Sequence, residues 1–223
     1  MSLTEKHPFR IKDCALVAVA TGKKAHNIRE LKENLQIITP GSIYFHFWGI
    51  LLRPRFLDRE YNNDFATWVK SSIHDHVLAE KLAVIDPTDY KNMEELRKEV
   101  AEIIEERLDE DEWISWIKPT RPFYFMDSHI VVFDTGFEID RPEQLLDIIP
   151  KMSEGSIYYH FIDARKRTDG SIDDFRAWLE GFNGKYSELM EDIATLDPYF
   201  VSLTHLKEQL VCIFSKYFER GKK

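Results

Sequence analysis

The sequence predicts a mainly helical α+β protein, in which a tandem duplication of a strand-plus-helices unit is combined with pseudo-twofold symmetry and a small β element. Two observations support this prediction. Residues 9–53 match residues 123–167 at 13 of 45 positions when the chain is shifted by 114. Both segments also pass from a β-branched run to apolar residues at helical spacing. We therefore assign residues 9–118 to a first repeat and residues 119–220 to a second, packed together as one structural unit.

Each repeat opens with one predicted strand. The runs Cys14–Ala20 and His129–Asp134 are largely apolar and rich in β-branched residues, and each ends at a Thr-Gly pair typical of a turn. A single strand is unstable in water. The two runs are therefore expected to pair with each other or with strands that the sequence does not reveal.

Five helices are predicted to follow each strand. The second begins at a Gly-Ser pair, where Ser42 or Ser156 would cap its N-terminus. The third begins near Asp64 or Asp174. The last helix of each repeat is long and amphipathic. Its apolar residues are Met93, Leu96, Val100, Ile103 and Ile104 in the first repeat and Leu203, Leu206, Leu210, Ile213 and Phe214 in the second.

The segment between the repeats, Leu108–Pro122, combines an acidic run with two tryptophans. The run Asp109–Glu112 is typical of a solvated helix end. Trp113 and Trp116 are expected to dock the segment onto one of the repeats. The alternative interpretation is that the two tryptophans form a patch that binds a partner.

Composition and charge exclude several classes of protein. The chain has 223 residues, of which 43% are hydrophobic and 13% aromatic, and this excludes a disordered or fibrous protein. With 39 acidic against 30 basic residues, its formal charge of -9 disfavours binding to a nucleic-acid backbone. We expect no secretory signal, since the first residues lack an apolar run, and no later apolar run is long enough to span a membrane. Cys14 and Cys212 lie in apolar surroundings and are expected to be free, buried thiols of a cytoplasmic protein.

A polar stripe recurs on the second predicted helix of both repeats. In the first repeat Ser42, His46 and Arg53 project from one side of the helix, and the second repeat has the same spacing. The arginine fork matches a carboxylate or phosphate, and a histidine adds a donor or moves a proton. One interpretation is therefore a site for a small anionic ligand at the junction of the repeats. Its candidate residues are His46, Arg53, Asp64, His160, Arg167 and Asp174.

The other interpretation of this stripe is purely structural. Each serine would cap its helix, each histidine would be satisfied at the margin of the core, and each arginine would pair with Asp64 or Asp174. A duplicated fold retains whatever residues its core needs. Recurrence alone therefore does not choose between the two interpretations.

No sequence motif indicates a metal site or a cofactor. His74-Asp75-His76 places its two imidazoles on different helix faces, and Thr21-Gly22-Lys23-Lys24 is not a phosphate-binding P-loop. The chain also has no Gly-x-Ser-x-Gly nucleophile elbow. We therefore predict no cofactor and no metal.

Three motifs occur once in each repeat. They are Gly-Ser-Ile-Tyr-x-His-Phe, an Asn-Asp-Phe or Asp-Asp-Phe step with a tryptophan three residues later, and an Ile-Asp-Pro or Leu-Asp-Pro step. Together they resemble an uncharacterised prokaryotic protein family of unknown function. The resemblance covers essentially the whole chain and implies no activity or site residue.

The sequence favours a binding or interaction protein, whose partner is either a protein or a small anionic ligand at the junction of the repeats. The alternative is a hydrolase or transferase that acts on a phosphorylated or sugar substrate through the paired His and Arg residues. A structural or assembly protein would instead expose an apolar patch near Trp113 and Trp116. A homo-oligomer is compatible with the sequence, and we expect neither a membrane nor a nucleic acid as a partner.

Overall fold

The computed structural model describes residues 8–53 and 60–220, and in this part of the chain it is a mainly helical α+β protein. This confirms the predicted fold class. Strand β1 is Phe9–Ala25 and strand β2 is Phe123–Ile139. The α-helices of the described residues are α1 (Ile28–Leu35), α2 (Pro40–Trp48), α3 (Asp64–Trp68), α4 (His76–Ala83), α5 (Met93–Glu110), α6 (Leu145–Ile148), α7 (Glu154–Ile157), α8 (Asp174–Glu180), α9 (Ser187–Ala194) and α10 (Leu203–Arg220).

The two strands pair as a two-stranded antiparallel sheet, and each is longer than predicted. The predicted runs 14–20 and 129–134 lie inside strands of 17 residues. The Thr-Gly pairs do not end the strands, which corrects the sequence prediction. Gly22 and Gly136 adopt φ values of +76° and +74° within them, a left-handed conformation that glycine tolerates and that is typical of a bulge rather than a chain reversal.

By its internal contacts the chain divides into two compact units, which we call the first unit (Leu16–His129) and the second unit (Met1–Ala15 with Ile130–Lys223). Each unit contains the helices of one half of the chain and a part of both strands. The division into repeats at 9–118 and 119–220 follows the order of the chain, whereas each compact unit combines residues from both ranges. The repeat ranges therefore stay a prediction.

The core of the first unit is built from the apolar faces of α1 to α5 and from the beginning of β2. Helix α1 buries its apolar residues completely, as their helical spacing predicts. The ring of Phe123 from β2 stacks on Phe65 of α3 with 5.2 Å between centroids. Phe125 lies edge-on to Phe123. These two phenylalanines of β2 therefore complete a core that is otherwise built mainly from the helices that precede them in the chain.

The core of the second unit receives its strand residues from the beginning of β1. Phe9 lies 5.6 Å from Phe175 of α8 and 5.2 Å from Trp178, measured between ring centroids. Helix α10 turns Phe214 toward the same cluster, at 6.3 Å from Phe175. Aromatic rings at these separations contribute beyond the area that they bury. Each unit thus closes its core with aromatic residues from a strand.

The N-caps of α2 and α7 differ from the prediction. Thr39 caps α2 and Ser153 caps α7, and each side chain accepts the backbone N–H three residues later. Those accepted N–H groups belong to Ser42 and Ser156, which therefore lie inside the first helical turn and are not caps. An N-cap needs an extended backbone, and that conformation occurs three residues earlier than predicted. The hydroxyl of Ser156 instead donates to the carbonyl oxygen of Lys12 at 2.6 Å.

The two cysteines have different environments. Cys14 is buried, its Sγ donates to the carbonyl oxygen of Gly155, and burial raises the pKa of this thiol to about 12. Cys212 is exposed on α10, so the prediction of a buried thiol is wrong there. Within residues 8–53 and 60–220, no helix is long and apolar enough to cross a membrane.

Candidate functional site

His46, Arg53 and Asp64 lie together in the first unit. Nδ1 of His46 on α2 is 2.8 Å from Oδ2 of Asp64, the first residue of α3. Both Nη atoms of Arg53 donate to the same carboxylate at 2.8 Å, which is a bidentate pair. The guanidinium of Arg53 also lies 4.5 Å from the centroid of the Phe45 ring. One carboxylate therefore holds the histidine and the arginine at the same time.

The second ring nitrogen of His46 is also engaged. The backbone N–H of Met126 on β2 donates to Nε2 of His46 at 3.1 Å. Nε2 therefore carries the lone pair, and the hydrogen bond to Asp64 places the proton on Nδ1. The ring links the backbone of β2 to helix α3 as a neutral imidazole.

Burial and charge act in opposite directions on this pair. Burial lowers the pKa of His46, and the neighbouring Asp64 only partly compensates for it. Burial also opposes ionisation of Asp64, but the hydrogen bonds from His46 and Arg53 outweigh it and lower the pKa of that carboxyl. The arrangement at neutral pH is therefore a neutral histidine beside an ionised aspartate that is paired with an arginine.

His160, Arg167 and Asp174 have corresponding contacts in the second unit. Nδ1 of His160 lies 2.7 Å from Oδ2 of Asp174, and the backbone N–H of Lys12 on β1 donates to Nε2 at 2.9 Å. Arg167 gives one Nη to Asp174 and the other to Asp163. The second set thus keeps the link from strand through histidine to aspartate but shares its arginine between two carboxylates.

The six predicted site residues therefore form two groups of three, one in each unit. The pairings of arginine with aspartate are those that the structural interpretation expects. A ligand site that includes both groups stays a prediction. No cluster of three or more His, Cys, Asp or Glu side chains in the described ranges is arranged to hold a metal ion.

Sequence reasoning missed two aspartates that explain the recurring glycines. A Cβ on Gly41 would lie 2.3 Å from Oδ1 of Asp127, and a Cβ on Gly155 would lie 2.4 Å from Oδ1 of Asp13. Thr39 also donates to Asp127 at 2.6 Å. The sequence did contain a feature that could have identified them, because Asp13 and Asp127 correspond at the offset of 114. Glycine is required because each strand carboxylate lies against the first turn of a helix.

A cavity of about 340 Å³ lies beside the Arg53–Asp64 pair in the first unit. The side chain of Arg53 is 35% exposed and that of Lys70 is 26% exposed. Hydroxyl groups of Thr67 and Ser71 also line the cavity. It offers cationic, anionic and hydroxyl groups to a small molecule.

The two tryptophans after α5 do not dock against the protein, so that prediction is wrong. Trp113 is 80% exposed and Trp116 is 79% exposed. They lie on a 3-10 turn, Glu112–Trp116, which is capped by the side chain of Asp111. Ile114 on the same turn is only 1% exposed. Because one apolar residue anchors a turn of this length, the tryptophans are left pointing to solvent.

A second cavity, of about 610 Å³, lies next to Trp116 in the first unit. Leu108 contributes an apolar surface to it, and acidic and basic side chains surround that surface. The charged residues that line the cavity are Arg29, Lys32, Glu105, Asp109 and Glu112.

Comparison with known proteins places the chain in a family. A family model matches residues 6–215, which is nearly the whole chain. The chain belongs to the family of unknown function DUF5752. This confirms the resemblance to a family without an assigned activity. Among curated proteins, no match to this DUF5752 protein is found. It is similar to a solved structure, OrfY from Thermoproteus tenax, with a TM-score of 0.81 and 26% identity over 95% of each chain.

Proposed function

We propose that this DUF5752 protein is an interaction protein that binds a partner protein through its tryptophan surface, which we define as Trp113, Trp116 and Ile117. One observation carries the proposal: both indole side chains are about four-fifths exposed although they follow each other on a single short turn. Ile117 beside them is 40% exposed. Adjacent exposed tryptophans are typical of binding hot spots.

The energetics of folding do not account for this surface. A tryptophan contributes to stability by removing its large apolar area from water, and rings that remain exposed contribute little. A partner that covers them recovers this contribution. A tryptophan at the centre of an interface is typically worth about 2 kcal/mol or more, which is about a 30-fold change in affinity.

The proposal is tested with the double variant Trp113→Ala/Trp116→Ala of the full chain. Proteins captured from cell extract by the wild type are identified and purified, and the Kd of each is measured by calorimetry. We expect the double variant to bind its partner at least 30-fold more weakly. The matched control is Val84→Ala, which removes another exposed apolar side chain from the same unit. A purified partner that binds the double variant as tightly as the wild type would contradict the proposal.

A second candidate function is the binding of a small anionic ligand in the cavity beside Arg53. The support for this function is the volume of the cavity and the presence of Arg53 and Lys70 in its lining. Both cations are already paired, with Asp64 and Glu60, so an anionic ligand would compete with these carboxylates. Thermal unfolding in the presence of inorganic phosphate or small carboxylates tests it. We expect a ligand-dependent rise in Tm that is lost in Arg53→Ala. A rise of equal size in that variant would exclude the site.

The alternative of a hydrolase or transferase has weaker support from the geometry. A histidine that acts as a general base needs a free ring nitrogen within reach of its substrate. Both ring nitrogens of His46 and His160 are already in hydrogen bonds with an aspartate and a strand N–H. These contacts favour a structural role of the two histidines over a catalytic one.

We also propose that the chain arose by tandem duplication. The support is that unlike residues make the same contact at positions related by 114, since Met126 and Lys12 both donate to a histidine. A crystal structure tests this by superposition of α2–α3 on α7–α8, and different backbone paths would oppose it. A cytoplasmic location and association with a second copy remain predictions of the sequence.

A further inference from the structure

We infer that the tryptophan surface selects a basic segment of its partner protein, with a lysine or arginine side chain entering the 610 Å³ cavity next to Trp116. This inference rests on the proposed function and adds the chemistry of the partner. It is carried by the charge around the cavity, by the position of that charge on α5 and by the indole that lines the cavity.

Three acidic and two basic side chains line the cavity, so its lining carries a net charge of -1. Residues 105–112 include six acidic side chains and one arginine. Glu105 is paired with Lys32 at 2.5 Å, so these two lining residues neutralise each other. Asp109 and Glu112 also line the cavity, and neither forms an ion pair within the described part of the chain. Arg29 is the remaining cation of the lining, so the two carboxylates leave one negative charge in excess, and a cationic group from outside is the complement of that charge.

The acidic residues also lie at the C-terminal end of α5, where the helix dipole disfavours negative charge. Helix α5 has 18 residues and ends at Glu110, so its C-terminal carbonyls present the negative end of the helix dipole beside the cavity. Cations are the favourable side chains at such an end, and Arg107 is the basic residue of the last turn. Because folding does not favour Asp109 at this position, we assign its role to the recognition of a cation.

Trp116 adds a second attraction for the same group. The face of an indole attracts a lysine or arginine cation more strongly than the other aromatic rings do. A cation in the cavity would therefore contact carboxylates and an aromatic face together. Trp113 on the same turn remains available for an apolar side chain of the same segment.

The experiment uses the full chain to select binders from a library of random 12-residue peptides displayed on phage. Selected peptides are synthesised with a fluorophore, and their Kd is measured for the wild type and for Trp113→Ala/Trp116→Ala. We expect the peptides that depend on the tryptophans to be enriched in lysine and arginine. We also expect Asp109→Asn/Glu112→Gln to weaken them about tenfold, and NaCl raised from about 50 to about 500 mM to weaken them further.

The matched control is Glu191→Gln/Glu219→Gln, which makes the same change in net charge at exposed positions of the second unit. Its Kd should equal that of the wild type. Tryptophan-dependent peptides that are neutral or acidic, or that bind Asp109→Asn/Glu112→Gln unchanged, would overturn the inference while the proposed function stands. If no selected peptide depends on the tryptophans, both the proposed function and the inference fail.

Discussion

Removal of residues 119–129 is expected to unfold a fragment that carries the first unit. We compare the fragment 16–129, which contains this unit, with the fragment 16–118, which ends where the first predicted repeat ends. The shorter fragment lacks Phe123 and Phe125, which are 5% and 1% exposed in the core of the unit. It also lacks the strand backbone that satisfies buried polar groups of the helices.

The magnitude follows from the lost contacts. Burial of a phenylalanine is worth about 1.5–3 kcal/mol, so two contribute about 3–6 kcal/mol. The shorter fragment leaves Nε2 of His46 without the Met126 N–H, and Nε1 of Trp68 without the carbonyl oxygen of Arg121. Each unsatisfied buried group costs about 1–3 kcal/mol. The total of about 5–12 kcal/mol is on the scale of the whole stability of a domain.

Urea unfolding followed by circular dichroism, together with the dispersion of amide NMR signals, measures the difference. We expect the fragment 16–129 to unfold cooperatively and the fragment 16–118 to show neither a cooperative transition nor dispersed signals. The fragment 16–129 with Phe125→Ala is the intermediate case, weakened by about 3–5 kcal/mol. A cooperative transition of the shorter fragment at the same urea concentration would refute the reasoning.

Three further predictions concern the links between strand and helix. Asp64→Ala should lower the free energy of unfolding by about 3 kcal/mol, because it removes the partner of His46 and of a partly exposed Arg53. Asp64→Asn keeps an acceptor, so its free energy of unfolding should fall by less in the same urea titration. Gly41→Ala should destabilise the protein by about 1–3 kcal/mol, because the added Cβ collides with Asp127. Adding Asp127→Ala should restore part of this loss. A double variant as unstable as Gly41→Ala would count against the collision. Because burial lowers the pKa of His46 below its unfolded value of about 6.5, the folded state binds fewer protons, and stability should be lost as pH falls below that value. An NMR titration in which the His46 ring charges near pH 6.5 would disprove this.

Local pattern was sufficient to predict the mainly helical fold, the apolar face of α1 and the members of the recurring groups. The apolar residues of α1 lie on one helical face and are completely buried. The spacing of His46 and Arg53, and its recurrence at His160 and Arg167, identified the residues that meet the two aspartates. The prediction that His46 and Arg53 project from one helix is wrong, because α2 ends at Trp48 and Arg53 reaches Asp64 from extended backbone beyond it.

Contacts between distant segments could not be predicted in this way. The close approach of Asp127 to Gly41 joins residues that are 86 positions apart, and no local propensity encodes it. The strands were predicted too short in part because Thr21-Gly22 and Thr135-Gly136 were interpreted as turns, whereas both pairs lie inside strands that pair with each other. The caps of α2 and α7 are Thr39 and Ser153, where the backbone is extended, and not the serines of the recurring Gly-Ser pairs.

The sequence by itself determined the helical periodicity, the correspondence at an offset of 114 and the residue types of the two His–Asp–Arg groups. Tertiary structure alone decided what those groups are available to do. It engaged both nitrogens of each histidine with a strand and an aspartate, and it left Trp113 and Trp116 in solvent because Ile114 filled the core beneath their turn. The physical reason is that the exposure of a residue and its free hydrogen-bonding groups depend on which other segments contact it. Helical periodicity depends only on the segment that contains the residue.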